Sequence, residues 1–193
     1  MVSSKTATTL YLAVTALVFV VFVWSVVTTE IRINRGQALF VSETFDGNGR
    51  TCATCHAPAE SFSISPATIR SLPSTDPLFV DVPGLENPVK LREDGLILVN
   101  DPDDGILEFR PTPKLTHLRR LCSRNGKCGP LGVRGDRERD LCTFSNEAVG
   151  NHFTKRVNGT PGVDFRLLTK RECKDMIAFL TSRRVEKAGD RED

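Results

Sequence analysis

The most distinctive chemistry in the chain lies in the pentapeptide Cys52-Ala53-Thr54-Cys55-His56. Two thiols three positions apart can reach the two vinyl groups of one haem, and the adjacent histidine can present an imidazole nitrogen to the iron. A thioredoxin-like redox pair lacks that histidine, and the sequence has no second Cys-x-x-Cys to complete a zinc site. The spacing therefore predicts one covalent haem c held by Cys52 and Cys55, with His56 as the proximal ligand of the iron.

Few side chains are left for the sixth position of such an iron. Met176, the only methionine beyond the haem motif, falls on the core face of the last predicted helix, where packing is its expected role. We predict His152 as the second metal ligand, because a short helix capped by Ser145 would turn it inward. The alternatives are a buried His152 bonded to a carbonyl or a propionate, ligation by His117, and a five-coordinate iron. Two imidazoles would give a closed, low-potential carrier, whereas an open site would permit peroxide or small-gas chemistry.

An apolar segment precedes the haem motif. No charged residue occurs from Thr6 to Thr29, and the run from Leu10 to Val27 is almost wholly apolar; about 20 such residues span a bilayer as a helix. An uncleaved signal anchor is favoured over a cleaved signal peptide, because the run exceeds an h-region of about 7–15 residues and no Ala-x-Ala site follows. Since haem c is attached outside an energy-transducing membrane, we expect a single-pass protein of the inner (cytoplasmic) membrane with its haem domain in the periplasm.

These elements divide the chain into a transmembrane anchor (1–30), a monohaem domain (31–183) and a charged flexible tail (184–193). A helix before the motif is predicted from its apolar face and from Gly36, which would let another helix cross closely; the turn residues 45–50 end it. The last helix is predicted from a capping box of Thr169 and Glu172. Its buried stripe follows at helical spacing: Cys173, Met176, Ile177 and Leu180.

With this pair of helices, the chain resembles the cytochrome c family. Residues 109–153 are also similar to the haem-binding core of bacterial dihaem cytochrome c peroxidases, through the stretches 109–115, 129–135 and 146–153. The resemblance implies a mainly α, cytochrome c-like domain with long loops. The chain has one haem motif where these peroxidases have two, and Gly132 aligns where their distal loop often supplies a methionine. Arg110, in the first stretch, is a candidate for a charge-assisted bond to a haem propionate.

Four cysteines remain beyond the haem motif, and in an oxidising compartment they allow three disulfide pairings. We favour Cys122–Cys128, which closes a short loop, and Cys142–Cys173, which would tie the His152 segment to the last helix. Buried free thiols are the alternative.

Composition narrows the class of function. A net charge of +2 and a single Trp and Tyr give no sign of a nucleic-acid partner. Residues 1–109 carry 7 Lys and Arg against 13 Asp and Glu, and residues 110–193 carry 19 against 11. This charge asymmetry could orient a partner, or the charged residues could simply form ordinary solvated faces.

We expect a membrane-anchored carrier of single electrons that serves a membrane redox complex or other cytochromes, as a diffusing tether or as a bound subunit. The alternative is a haem enzyme or sensor with an open distal site.

Overall fold

The computed structural model describes residues 4–80, 88–101, 106–131, 137–154, 156–157, 160–161 and 164–189, and its fold is mainly helical. The helices are α1 (Ser4–Ser42), α2 (Cys52–Cys55), α3 (Pro66–Ser71), α4 (Pro88–Asp94), α5 (Leu118–Leu121), α6 (Leu141–His152), α7 (Lys170–Leu180) and α8 (Arg183–Gly189). The strands are β1 (Ile97–Asp101), β2 (Ile106–Arg110), β3 (Lys127–Leu131), β4 (Arg137–Asp140), β5 (Arg156–Val157) and β6 (Thr160–Pro161). They pair consecutively as three antiparallel two-stranded sheets. The predicted mainly α class is confirmed at this level.

Helix α1 is long and apolar enough to cross a membrane. Its 39 residues extend about 58 Å at 1.5 Å per residue, and it contains an 18-residue window with a mean hydropathy of 2.4. The large side chains of this part, such as Tyr11, Phe19 and Trp24, are 68–71% exposed. A surface of this kind suits a lipid environment and does not pack against the rest of the chain.

The same helix continues into the folded domain without a break at residue 30, where the sequence analysis ended the anchor. Ile33 and Phe40 are 8% and 2% exposed and belong to the main hydrophobic core. One continuous helix therefore carries both the apolar segment and the first core element of the domain.

Helices α1 and α7 cross at Gly36. A Cβ atom at this position would lie 2.0 Å from the carbonyl oxygen of Asp175 and 2.7 Å from the Cβ of Phe179. Above the crossing, the rings of Phe40 and Phe179 pack with centroids 5.5 Å apart. Beside it, Arg35 Nε donates to Asp175 Oδ2 at 2.8 Å, and this aspartate is 3% exposed. The predicted close crossing at Gly36 is thus present.

Helix α7 begins as the sequence predicts. Thr169 Oγ1 accepts a hydrogen bond from the Glu172 N–H, and the Glu172 carboxylate accepts one from the Thr169 N–H. The predicted stripe of four residues, Cys173, Met176, Ile177 and Leu180, is buried at 2–7% exposure. Met176 is therefore a core residue, as expected.

Both favoured disulfides are present. Cys122 pairs with Cys128, and Cys142 pairs with Cys173 across 31 residues of sequence. The second bond joins α6 to α7, so the helix that ends at His152 is fastened to the helix that crosses α1.

The C-terminal segment differs from the flexible tail predicted for residues 184–193. Residues up to Gly189 form α8, in which Val185 is fully buried. Ser61 Oγ donates to the Ala188 carbonyl at 2.9 Å, and Arg184 Nη2 donates to Glu30 Oε2 at 2.6 Å. Two apolar residues, Val185 and Ala188, in a short charged sequence are too few to produce a periodic signal, which is why the pattern did not predict this helix. Residues 190–193 lie outside the described part of the chain.

Candidate functional site

The two thiols of the predicted haem motif lie on one helical turn. Helix α2 consists of only Cys52–Cys55, so the two sulfurs lie three positions apart, on the same side of the turn. The Thr51 N–H donates to Thr54 Oγ1 at 2.9 Å, and the His56 N–H donates to the Cys52 carbonyl at 3.0 Å, so both ends of the turn are fixed. Both cysteines are half-buried, and neither is part of a disulfide. Burial raises the pKa of the Cys52 thiol to about 12, which keeps this thiol protonated at neutral pH.

The imidazole of His56 is oriented by a backbone carbonyl. His56 Nδ1 lies 3.0 Å from the Phe62 oxygen, and a neutral imidazole that donates from Nδ1 carries its lone pair on Nε2. Burial lowers the pKa of His56 to about 4; the carbonyls of Phe62 and Pro113 oppose this shift, and the nearby charge of His152 adds to it. The ring is therefore neutral at physiological pH, which is the form that binds a metal.

The carbonyl of Phe62 is positioned by a turn with an unfavourable backbone conformation. Ser61 and Phe62 both have left-handed backbone angles, with φ of 54° and 57°, a conformation that non-glycine residues adopt at a cost. The Phe62 ring packs edge-on against Phe40, with centroids 5.5 Å apart, and against Phe179 at 5.9 Å. The α1–α7 crossing therefore positions the carbonyl that orients His56. The role of Phe62 is not predictable from the sequence, because nothing local to residues 61–62 signals a left-handed turn.

The end of α6 is bonded to the loop that precedes the haem motif, since Asn48 Nδ2 donates to the His152 carbonyl at 2.9 Å. His152 is the last residue of α6 and is half-buried, and its charge contributes to the lowered pKa of His56. The helix begins earlier than the predicted cap at Ser145: the carboxylate Oδ1 of Asp140 accepts from the N–H groups of Cys142 and Thr143 at 3.0 and 3.1 Å. Aspartate is a strong N-cap, and it extends the helix by one turn without changing where it ends.

A buried arginine links the two histidine segments. Arg50 is 1% exposed and donates from Nη2 to the carbonyls of Leu78 and Val80, at 2.6 and 3.1 Å. It also donates from Nε to Pro77 at 3.1 Å and from Nη1 to the His152 carbonyl at 3.3 Å. The sequence predicts a turn at residues 45–50, and an arginine in a turn is ordinarily exposed to solvent. No local signal distinguishes this arginine from a surface one.

The other two candidates lie in different surroundings. His117 occupies the N-terminal cap position of α5 and is exposed to solvent. Arg110 ends β2 and pairs through Nη2 with the carboxylate of Glu108 at 2.5 Å. Among the described residues, no group of three or more His, Cys, Asp or Glu side chains forms a cluster that could hold a metal ion by itself.

The chain matches no protein-family model, no curated protein and no solved structure.

Proposed function

We propose that the protein is a membrane-anchored monohaem c-type cytochrome that transfers single electrons at the periplasmic side of an energy-transducing membrane. One observation carries the proposal: two half-buried cysteines that are not in disulfides share a helical turn, and the histidine that follows is neutral and oriented by the Phe62 carbonyl. This donor set fits a covalent haem c, because the thiols would supply two thioether bonds and the imidazole an axial nitrogen. When bound, the haem supplies the one-electron redox chemistry.

In this proposal, each residue has a distinct task. Cys52 and Cys55 would hold the haem, and His56, whose Nδ1 is bonded to the Phe62 carbonyl, would offer its Nε2 lone pair to the iron. His152 is the proposed sixth ligand, because the loop that leads into the haem motif holds its backbone: Asn48 Nδ2 donates to the His152 carbonyl at 2.9 Å. A site with two imidazoles excludes exogenous ligands and favours electron transfer over peroxide chemistry.

The surrounding fold supports the same proposal. Two long-range features, the α1–α7 crossing at Gly36 and the packing of Phe40 on Phe179, match the helix pair that the resemblance to cytochromes c implies. The two disulfides are typical of an exported protein, because such bonds persist in oxidising compartments.

The continuity of α1 bears on the mode of action. Ile33, which is buried, lies six positions after Val27, the end of the apolar run, a rise of about 9 Å. The domain therefore begins directly above the proposed membrane surface, and no flexible linker intervenes. This rigid mounting supports a bound subunit that passes electrons to a membrane redox complex or to another cytochrome, over a domain swinging on a tether.

Attachment is the first test. The full chain, produced with a haem-attachment system, is expected to stain for haem after denaturing electrophoresis and to exceed its polypeptide mass by one haem. The double variant Cys52→Ala with Cys55→Ala should lose both signals. The matched control, Cys122→Ala with Cys128→Ala, removes two other cysteines and should keep them. A colourless wild-type chain with only its polypeptide mass would refute the proposal.

Carbon monoxide distinguishes the closed carrier from the open-site alternative. The reduced wild-type protein should not bind carbon monoxide at once, whereas His152→Ala should bind it readily because a coordination position opens. His117→Ala serves as the control and should behave as wild type. Immediate binding by the wild type would instead indicate a haem enzyme or sensor.

A further inference from the structure

The loop of residues 45–50, which directly precedes the haem motif, is bonded to the end of α6. Asn48 Nδ2 donates to the carbonyl of His152 at 2.9 Å and to that of Thr154 at 3.1 Å. The Asn48 N–H donates to the Phe153 carbonyl at 2.9 Å. Three consecutive carbonyls at the end of α6 thus accept hydrogen bonds from one residue of this loop.

Arg50 adds a second connection to the same point. Its Nη1 donates to the His152 carbonyl at 3.3 Å, and its own N–H donates to Asn48 Oδ1 at 3.2 Å. The guanidinium is held by further carbonyls at Pro77, Leu78 and Val80, so it is fixed in one orientation. Since Arg50 precedes Cys52 by only two residues, it ties the position of His152 to the position of the cysteine pair.

The loop of residues 45–50 packs closely against the end of α6. A Cβ at Gly47 would lie 2.3 Å from the Phe153 carbonyl oxygen. The rings of Phe45 and Phe153 pack edge to face with centroids 5.6 Å apart. Phe45 and Asp46 have left-handed backbone angles, with φ of 52° and 56°, and such conformations persist only where their surroundings determine them.

We propose that Asn48 and Arg50 are positioning residues that hold the His152 end of α6 beside the haem motif, so that the sixth ligand is kept in place by the loop that leads into that motif. This inference rests on the proposed haem function. The two residues act on the ligand through its backbone carbonyl and do not themselves touch the iron. Without them, the end of α6 loses donors to its last carbonyls, and the His152 imidazole leaves the iron more often.

The test is the binding of carbon monoxide to the reduced, haem-loaded full chain. In Asn48→Ala we expect the ratio of open to closed iron to rise about tenfold, which corresponds to about 1.4 kcal/mol, with a matching increase in the high-spin ferric absorption spectrum. Arg50→Lys keeps the charge but loses the forked donors, and it should shift the same two signals in the same direction. If Asn48→Ala does not fold, Arg50→Lys carries the test.

The control lies on the same helix. Asn146 Oδ1 accepts from the Leu168 N–H at 2.8 Å, so Asn146→Ala loosens α6 at a place remote from His152 and should leave both signals unchanged. In a His152→Ala background, Asn48→Ala should add nothing to carbon monoxide binding, because no ligand remains to be positioned. An additional effect there, or wild-type ligation in both Asn48→Ala and Arg50→Lys, would overturn the inference.

Failure of this inference is distinguishable from failure of the proposed function. A chain that carries no covalent haem refutes the function itself. A chain that carries haem but shows unchanged ligation in the Asn48 and Arg50 variants remains a cytochrome and refutes only the positioning role.

Discussion

Substitution of Gly36 by alanine probes the contact on which the domain depends, the crossing of α1 and α7. The added Cβ would lie 2.0 Å from the Asp175 carbonyl oxygen, 2.6 Å from its carbon and 2.7 Å from the Phe179 Cβ. Ordinary contact begins at 3.4 Å, so the helices would have to separate by about 1.4 Å. The obstructing atoms include backbone, and no flexible side-chain end is available to move aside.

Two effects of opposite sign set the magnitude. Overpacking of a close-packed core costs about 1–3 kcal/mol, whereas alanine gains about 0.8–1.0 kcal/mol over glycine in a helix. Because the added Cβ meets backbone atoms, we take the upper part of the overpacking range, about 2–3 kcal/mol, and expect a net loss of about 1–2 kcal/mol in the free energy of unfolding. For a chain of this size, that loss lowers the melting temperature by about 2–8 °C.

A second helical glycine provides the matched comparison. At Gly150 in α6, an added Cβ would lie 3.8 Å from the nearest atom, Cζ of Phe165, so Gly150→Ala should raise the unfolding free energy by about 0.5–1 kcal/mol. Thermal unfolding of the detergent-solubilised full chain, followed by circular dichroism, measures both variants. A melting temperature of Gly36→Ala equal to or above that of the wild type would refute the reasoning, and so would a fall in both variants by the same amount.

Three further results are expected. Replacement of both Cys142 and Cys173 by alanine removes the cross-link that closes a 31-residue separation and should lower the unfolding free energy by about 3–4 kcal/mol; an unchanged urea midpoint would contradict this. In the chain without haem, where His56 holds no iron, burial lowers the pKa of His56 to about 4, so the unfolded chain binds the extra proton below its ordinary pKa of about 6.5. Stability should then fall from pH 6.5 to pH 4 by up to about 3 kcal/mol, and His56→Gln should flatten that profile in urea unfolding. Finally, Arg35→Ala leaves the buried carboxylate of Asp175 without this partner and should lower the melting temperature, while an unaltered value would show that the pair is not stabilising.

Patterns contained within one or two helical turns were sufficient to predict several features. The capping box of Thr169 and Glu172 and the buried stripe of α7 depend on residues three or four positions apart, and both appear as predicted. The length of the apolar run likewise predicts a helix that could span a membrane. The pairing of Cys142 with Cys173 required one step more, the inference that the His152 segment lies beside the last helix.

Other features depend on partners that are distant in sequence. The bonds from Asn48 to the His152 carbonyl join residues 104 positions apart, and the bonds from Arg50 to Pro77 and Leu78 span 27 and 28 positions. A turn segment with an arginine has the same local pattern whether that arginine is solvated or buried, so its role is decided only when the chain folds around it.

The sequence by itself predicted which side chains would hold a cofactor, how the last helix starts, and, among three possible pairings, the two disulfides that the structure contains. The tertiary structure alone decided how those side chains are oriented: the left-handed turn that brings the Phe62 carbonyl to His56, the buried position of Arg50, and the helix at Arg183–Gly189. The physical reason is that spacing along the chain specifies neighbours within a turn, whereas a carbonyl or a guanidinium is aimed by contacts between segments that meet only in the folded domain.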